Sequence, residues 1–414
     1  MAILIAACTP IAGAQSASNS ATPDSGSPPI VTTAFSYTGE VVADGAGGVR
    51  RGATYTGAAA AQITVALGPI VGWPGLKLFV FVLDTHGGAP SDRVGDVQGV
   101  DNLQAPARLR LEEIWLQQNG LDNRLSVLAG RYDLNSEFYR LQSAGLFVNS
   151  SFGIGPELAQ SGAEGPSIFP NTSVGALLAF KSSPNAVLRV AVLDGVPVYR
   201  AHGVARLFAP GDGALLVGEV AILERPDSGG APHNPRFRVG RGLARPYTGK
   251  VAVGAWYYTA RFPDLADTLS TGDAVQHRGS RGAYVIADRI FWSAKHGGPA
   301  SLSAFAQLGL GDSRVDRIGG YAGGGFTFTA PIASRAHDEL GLAIASARTG
   351  SQYERLQIAS GAPASSETTV ELTYLAPFGS WLAVQPDLQY VSHPGNAPGA
   401  RYALVPGLRV ALSH

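Results

Sequence analysis

Hydrophobic and polar residues alternate with period two along much of the chain, most plainly from Pro299 onward. In Ala300 to Leu310, one face carries Ala300, Leu302, Ala304, Ala306, Leu308 and Leu310, and the other carries Ser301, Ser303, Phe305, Gln307 and Gly309. Successive side chains of an extended chain point to opposite sides, so the pattern predicts a strand with one apolar and one mixed face. It recurs at Tyr321 to Thr329, where Ala322, Phe326 and Phe328 oppose Gly323, Gly325, Thr327 and Thr329. Thr368, Val370, Leu372 and Tyr374 then oppose Glu367, Thr369, Glu371 and Thr373, and Leu382, Val384, Leu388 and Tyr390 oppose Gln385, Asp387 and Gln389. Ala403 to Ser413 reads as a closing strand. Clusters such as Gly297-Gly298-Pro299, Gly311-Asp312-Ser313 and Pro394-Gly395-Asn396 separate these segments as hairpin turns do. Extended to the whole chain, this spacing predicts roughly 16 to 18 strands.

Two architectures use so many alternating strands. In a soluble sandwich the apolar faces meet each other, whereas in a membrane barrel they meet lipid and the polar faces line a wet lumen. No run of 18 apolar residues is free of charge or strong polarity, and the longest uncharged window, Gly52 to Leu76, is broken by Gly68-Pro69 and Gly72-Trp73-Pro74-Gly75. Helical spans are therefore not expected, but a closed barrel crosses a bilayer in segments of ~9 to 11 residues. Trp256, Tyr258, Phe262, Tyr374 and Tyr390 fall near strand ends on the apolar face, as an interfacial aromatic girdle requires. The expected fold is all-β, a transmembrane antiparallel up-and-down barrel.

Composition narrows the chemistry. The chain is 45% hydrophobic and 15% charged, with 31 basic and 31 acidic residues. Nucleic-acid binding, which needs a basic surplus, is not expected. The one cysteine, Cys8, leaves no disulfide or thiolate metal site in the body of the chain. Residues 1–14, with an apolar run and Ala12-Gly13-Ala14, read as a signal peptide cleaved after Ala14, and Ile5-Ala6-Ala7-Cys8 resembles an acylation box. Residues 15–45 begin with a Ser-, Ala-, Pro- and Thr-rich stretch and read as a flexible linker, with a barrel domain over 46–414.

Several words in the chain resemble one family. Gly72-Trp73-Pro74-Gly75, Thr85-His86-Gly87-Gly88, Gly95-Asp96-Val97-Gln98-Gly99, Arg110-Leu111-Glu112-Glu113-Ile114-Trp115-Leu116 and Tyr132-Asp133-Leu134-Asn135-Ser136-Glu137-Phe138 are similar to segments of the OprB-type carbohydrate-selective porins of Gram-negative outer membranes. Phe147-Val148-Asn149-Ser150-Ser151-Phe152-Gly153, Pro166-Ser167-Ile168-Phe169-Pro170 and Gln385-Pro386-Asp387-Leu388-Gln389-Tyr390 continue the likeness, which runs from about Gly48 to Leu412. The resemblance implies a barrel of about 16 strands in the outer membrane, with a narrow polar eyelet that small, glucose-like sugars cross by passive diffusion. It also implies outer-membrane lipid, lipopolysaccharide and the barrel assembly machinery as partners, with a homotrimer as a candidate assembly and no cofactor.

A sugar is a neutral polyol with an apolar C–H face, so a selective pore needs bidentate hydrogen-bonding groups and an aromatic plate. Glu113, Trp115 and Gln117 share one strand face, opposite Ile114 and Leu116, and are candidate eyelet residues. Arg110 has the opposite parity to Glu113, which calls for a strand end or a bulge. Asp133, Asn135 and Glu137, with Arg131 as an ion-pair partner, suit either a loop folding into the lumen or a capped turn. Arg189, Arg261, Glu371, Asp387 and Arg409 fall on lumen faces by parity and are expected to form a charged network.

Enzyme motifs are missing: there is no G-x-S-x-G, no H-E-x-x-H and no His pair at ligand spacing. Glu112 and Glu113, as strand neighbours, are expected on opposite faces and so unable to flank one glycosidic bond. The remaining alternatives are a general diffusion pore, a pore for another small hydrophilic solute, a plugged barrel and, less favoured, an outer-membrane hydrolase.

Overall fold

The alternating segments form strands whose edges are all paired. The structure is a computed structural model and describes residues 29–197, 208–209, 211–224, 247–294, 298–359, 361, 366–396 and 399–413. The signal-peptide reading of 1–14 lies outside the described residues. The strands are β1 (Val31–Asp44), a two-residue β2 (Ala46–Gly47), β3 (Gly52–Ala66), β4 (Leu76–Gly87), β5 (Arg108–Gly120), β6 (Leu125–Tyr132), β7 (Ser173–Ser183), β8 (Ala186–Asp194) and β9 (Ala214–Glu224). They continue as β10 (Gly249–Tyr258), β11 (Arg261–Thr268), β12 (Ala274–Arg278), β13 (Arg281–Ser293), β14 (Ser301–Leu310), β15 (Ile318–Thr329), β16 (Glu339–Thr349), β17 (Ser366–Phe378), β18 (Leu382–Ser392) and β19 (Tyr402–Ser413). Sixteen of these make a closed antiparallel barrel, and β11 and β12 form a separate hairpin.

Closure comes from β1, which pairs with β3 on one side and with β19 on the other, from Ser36 opposite Ser413 to Val42 opposite Gly407. A closed sheet leaves no unpaired strand edge to face hydrocarbon. The barrel therefore begins at Val31, inside the stretch read as a linker over 15–45. Its Thr- and Ser-rich composition hid a strand that is in register with β3 along its whole length, from Val31 opposite Val65 to Asp44 opposite Gly52.

Period two becomes inside and outside. On β16, Leu342 and Ile344 are exposed on the outer wall while Ala343 and Ala345 are buried within. Val251 and Val253 on β10, Leu372 on β17 and Leu408 on β19 extend the same apolar belt. One end of the barrel has tight turns, such as Leu121–Asp122–Asn123, all at left-handed φ (50°, 53° and 61°). The other end carries the long connections 88–107, 133–172 and 259–280. Exposed Phe35, Phe291, Trp292, Phe326, Phe378 and Trp381 ring the turn end, and Tyr55, Tyr257, Tyr390 and Tyr402 ring the loop end. Indole and phenol rings suit the interface between hydrocarbon and headgroups.

Three residues read as girdle members lie elsewhere. Trp256 and Tyr258 face inward and are buried, since the outward series on β10 is Val251, Val253, Ala255 and Tyr257. Phe262 is buried on β11, off the wall, where it packs edge-on against Tyr258. Aromatics on both faces at that end of β10 made the parity ambiguous in the sequence.

The outer wall generates a direct expectation. Val253→Arg puts a cation at the middle of a lipid-facing strand and should cost about 2–4 kcal/mol of folding free energy in vesicles, whereas Val253→Leu should be near neutral. Urea titration of folding into lipid vesicles measures both.

Candidate functional site: a loop held inside the barrel

Residues 133–172 join β6 to β7 and turn into the lumen. Asp133 caps the first turn by accepting Asn135 N (2.7 Å), and Asn135 Nδ2 donates to Phe138 O and Gly153 O (3.2 Å each). Beyond this turn the loop has little regular structure, so its amides need partners from outside it. The wall supplies carboxylates. Glu219 Oε2 accepts Tyr139 N (3.0 Å), Asp288 Oδ2 accepts Gln142 N (2.6 Å) and Ser143 N (3.0 Å), and Glu371 accepts Val148 N (2.7 Å) and Asn149 N (2.9 Å). Wall donors take the loop carbonyls: Lys250 Nζ to Arg140 O (2.8 Å), Gln385 Nε2 to Leu146 O (2.8 Å), Tyr321 Oη to Ser151 O (2.8 Å) and Gln307 Nε2 to Phe152 O (2.9 Å).

A second inward connection, 88–107, is held the same way. Glu367 accepts Val97 N (2.9 Å), Gln98 N (3.0 Å) and Gly395 N (2.6 Å). Within this loop Asp96 accepts Gly99 N (2.6 Å) and Val100 N (3.0 Å). Burial raises the Asp96 carboxyl above its usual range, and the Ser91 hydroxyl and these amides pull it back only in part. The two loops also bond to each other, through Ser150 N to Gly99 O (2.7 Å) and Asn102 N to Val148 O (3.0 Å).

Several charges inside the barrel are paired. Arg189 lies between Glu137 (3.5 Å) and Glu219 (3.4 Å), and Lys250 also reaches Glu219 (3.5 Å). Where the barrel closes, Arg409 on β19 pairs with Glu40, its register partner on β1 (2.6 Å), and with Asp101 (3.3 Å), and donates to Asn102 Oδ1 (2.6 Å). Removing one partner of such a buried pair leaves an uncompensated charge, which costs more than the intact pair contributes. A wide barrel narrowed by an inward loop and bordered by paired charges admits small hydrophilic solutes and excludes large ones.

The family model described as carbohydrate-selective porin, OprB family, matches residues 50–413. The chain belongs to the OprB family of carbohydrate-selective porins. It is 25% identical over 415 residues to Porin B of Pseudomonas aeruginosa, covering 90% of this chain and 85% of that protein. Its fold is similar to the high-pH structure of Pseudomonas putida OprB, with a TM-score of 0.78 at 22% identity, covering 93% of this chain and 94% of the other. The outer membrane channel DcaP of Acinetobacter baumannii is more distant, with a TM-score of 0.52 at 12% identity, covering 93% of this chain and 97% of that one. The protein is thus a sugar-selective porin of the Gram-negative outer membrane.

In this porin the sequence-derived candidates take different positions. A β-bulge opposite Phe81–Val82 puts Arg110, Glu112 and Glu113 all on the inner side of β5. Glu112 and Glu113 thus share the inner face, contrary to the expectation from strict alternation, because the bulge inserts one residue into the strand. Arg110 donates to Pro170 O (2.8 Å), Pro106 O (2.9 Å) and Thr85 Oγ1, and so clamps the ends of both inward loops. Glu113 accepts Asp133 N (3.1 Å) at the root of the longer loop. Trp115 is only 3% exposed and stacks on Phe79 at 4.8 Å between ring centroids, so it is packed wall rather than an open plate. Gln117 donates to Ser126 Oγ (2.6 Å). Arg131 takes outward parity on β6 and donates to Thr172 O (2.7 Å). Arg261 is exposed on the β11–β12 hairpin and does not line the lumen, because the chain leaves the wall after Tyr258. Glu371, Asp387 and Arg409 have buried or largely buried side chains on the inner face.

Glu219, Lys250, Asp288 and Glu367, which hold the loops, and Glu40, which pairs with Arg409, were not singled out from the sequence. Each sits at an inward position, a signal that period two carries only once the faces are assigned.

Replacing a carboxylate that holds two loop amides should free the loop without unfolding the barrel. Glu371→Gln loses a charged hydrogen bond worth about 1.5–3 kcal/mol, so single-channel conductance should rise and become noisier, while heat-modifiable gel mobility stays that of a folded barrel.

Proposed function

We propose that sugar selection takes place where the longer inward loop faces the charged wall, and that glucose-like small sugars cross there by facilitated diffusion. The observation that carries this reading is the clasp of wall carboxylates on loop amides, which holds a polar constriction in place inside a barrel of this family. We assign the constriction to Glu113, Asp133, Asn135 and Glu137 at the loop root, with Arg110 and Arg131 positioning its ends. Arg189, Glu371, Asp387 and Arg409 act from the wall. The Arg409 side chain is 13% exposed and keeps donors directed at Glu40 and Asn102, so it is the wall group best placed to exchange a partner for a sugar hydroxyl. Trp115 and Gln117 support this constriction through packing and wall hydrogen bonds. The protein works as a channel rather than an enzyme: Glu112 and Glu113 lie on one face, but Glu113 is engaged by Asp133 N.

The apolar belt and its tyrosine ring fit outer-membrane lipid and lipopolysaccharide, and such a closed barrel requires the assembly machinery to insert. A homotrimer is supported by one polar sector of the outer wall. There Asp84, His86, Tyr37 and Tyr55 are hydrogen-bonded in a row beside a groove of about 540 Å³ lined by Phe35, Ala59, Ala61, Val82 and Leu412. A cysteine at Ala59 should cross-link between protomers in native membranes. Monomers alone would assign this wall to lipid.

Refolded protein in a planar bilayer, titrated with glucose and then with a disaccharide, should show stepwise conductance that falls at millimolar sugar, an affinity of roughly 4 kcal/mol. Arg409→Ala should weaken the block about tenfold and leave the barrel folded. Conductance indifferent to sugar would reduce the function to general diffusion or another solute.

A further inference from the structure

Residues 155–165 of the longer inward loop are seated against the wall through two buried acids, Glu157 and Asp316. The helical turn Pro156–Ala159 lays the fully buried Glu157 side chain against Gly309. A Cβ at Gly309 would come within 1.9 Å of Glu157 Oε1, so the strand leaves a socket the size of this carboxyl. Tyr139 Oη donates to Oε1 (3.0 Å), and Oε2 is buried with no hydrogen-bond partner. The titratable groups facing Glu157 are Tyr139 from its own loop and Tyr321 from β15, and among the described residues no cation acts on it. A few residues further on, Gly162 N donates to Asp316 Oδ1 (3.2 Å) and Ser280 Oγ lies 2.6 Å from Oδ2. Asp316 is faced by Asp312 from its own connection and by Tyr258 from β10.

We propose that lobe 155–165 carries a proton-operated catch at Glu157, seated while this acid is protonated and released from the Gly309 socket when it ionises, while Asp316 holds Gly162 N as the other wall acids hold loop amides. A buried carboxylate without a cation is costly, whereas the neutral acid can stay in its socket. Burial raises Glu157 to about 7, against which its own backbone amide and the Tyr139 hydrogen bond pull down only in part. The direction follows from linkage. The seated lobe holds a proton on Glu157 that the released lobe gives up in the ordinary carboxylate range, so release becomes more favourable as pH rises toward about 7 and levels off above it. Acid locks the lobe and neutral-to-alkaline conditions loosen it, whichever solute the pore admits.

Hydrogen exchange of the amides of Leu158, Ala159 and Gln160, measured on the refolded full chain and corrected for intrinsic rate, tests this. Opening of the wild-type lobe should increase by about tenfold per pH unit, between roughly pH 5 and 7, and then plateau. Glu157→Gln should be flat, and single-channel conductance should rise over the same window in wild type and stay level in Glu157→Gln. Where the glutamine variant fails to fold, Tyr139→Phe, which removes the donor to Glu157, should carry the rise to higher pH. A wild-type lobe with no pH slope, a Glu157→Gln variant that keeps the slope, or an unshifted Tyr139→Phe would overturn the proposal.

Discussion

The structure depends on one repeated interaction, a wall carboxylate accepting amide N–H groups from a chain segment that has no sheet of its own. Glu367 and Glu371 on β17, Asp288 on β13 and Glu219 on β9 each do this, and together they hold two irregular loops inside the barrel. An amide taken from water without a partner costs free energy, and a loop crossing a lumen carries many of them. An ionised oxygen forms a stronger hydrogen bond than a neutral one, and two oxygens can serve neighbouring amides at once. The narrowing of the pore is therefore a consequence of where acids are placed on the wall.

Space for the loops is made by small residues on the same wall. A Cβ at Gly341 would meet Leu146 and Phe147 of the longer loop at 2.8 Å, and Gly309 leaves room for Glu157. The inner face of β16 is otherwise largely alanine, while its outer face carries Leu342 and Ile344. On β16 large apolar groups thus go to lipid and small ones to the lumen side, which leaves room for the loop.

Electrostatics follows from the same placement. Acids that hold backbone amides are partly neutralised by them, Glu137 and Glu219 are met by Arg189, Glu219 also by Lys250, and Glu40 and Asp101 by Arg409. The described lumen is thus lined by ion pairs, amide dipoles and acids that no cation meets, Glu157 among them. Such a surface can exchange hydrogen bonds with a neutral polyol and release it, as conduction requires.

The sequence by itself determined the fold class, the alternation of faces on the later strands and, through words spread along the chain, the family. These are local properties, because side-chain direction in a strand is set by the residue's own position. It was misleading where local order breaks: at the bulge that brings Glu112 to the side of Glu113, at Trp256 and Tyr258 where both faces are aromatic, and at Arg261, where the chain leaves the wall. Tertiary structure alone decided which acids hold the loop. Val148 and Glu371 are 223 residues apart, and Gln98 and Glu367 are 269 apart. No periodicity joins such partners, since their meeting depends on barrel closure, strand stagger and the path of an irregular loop, all of which are set by the folded chain as a whole.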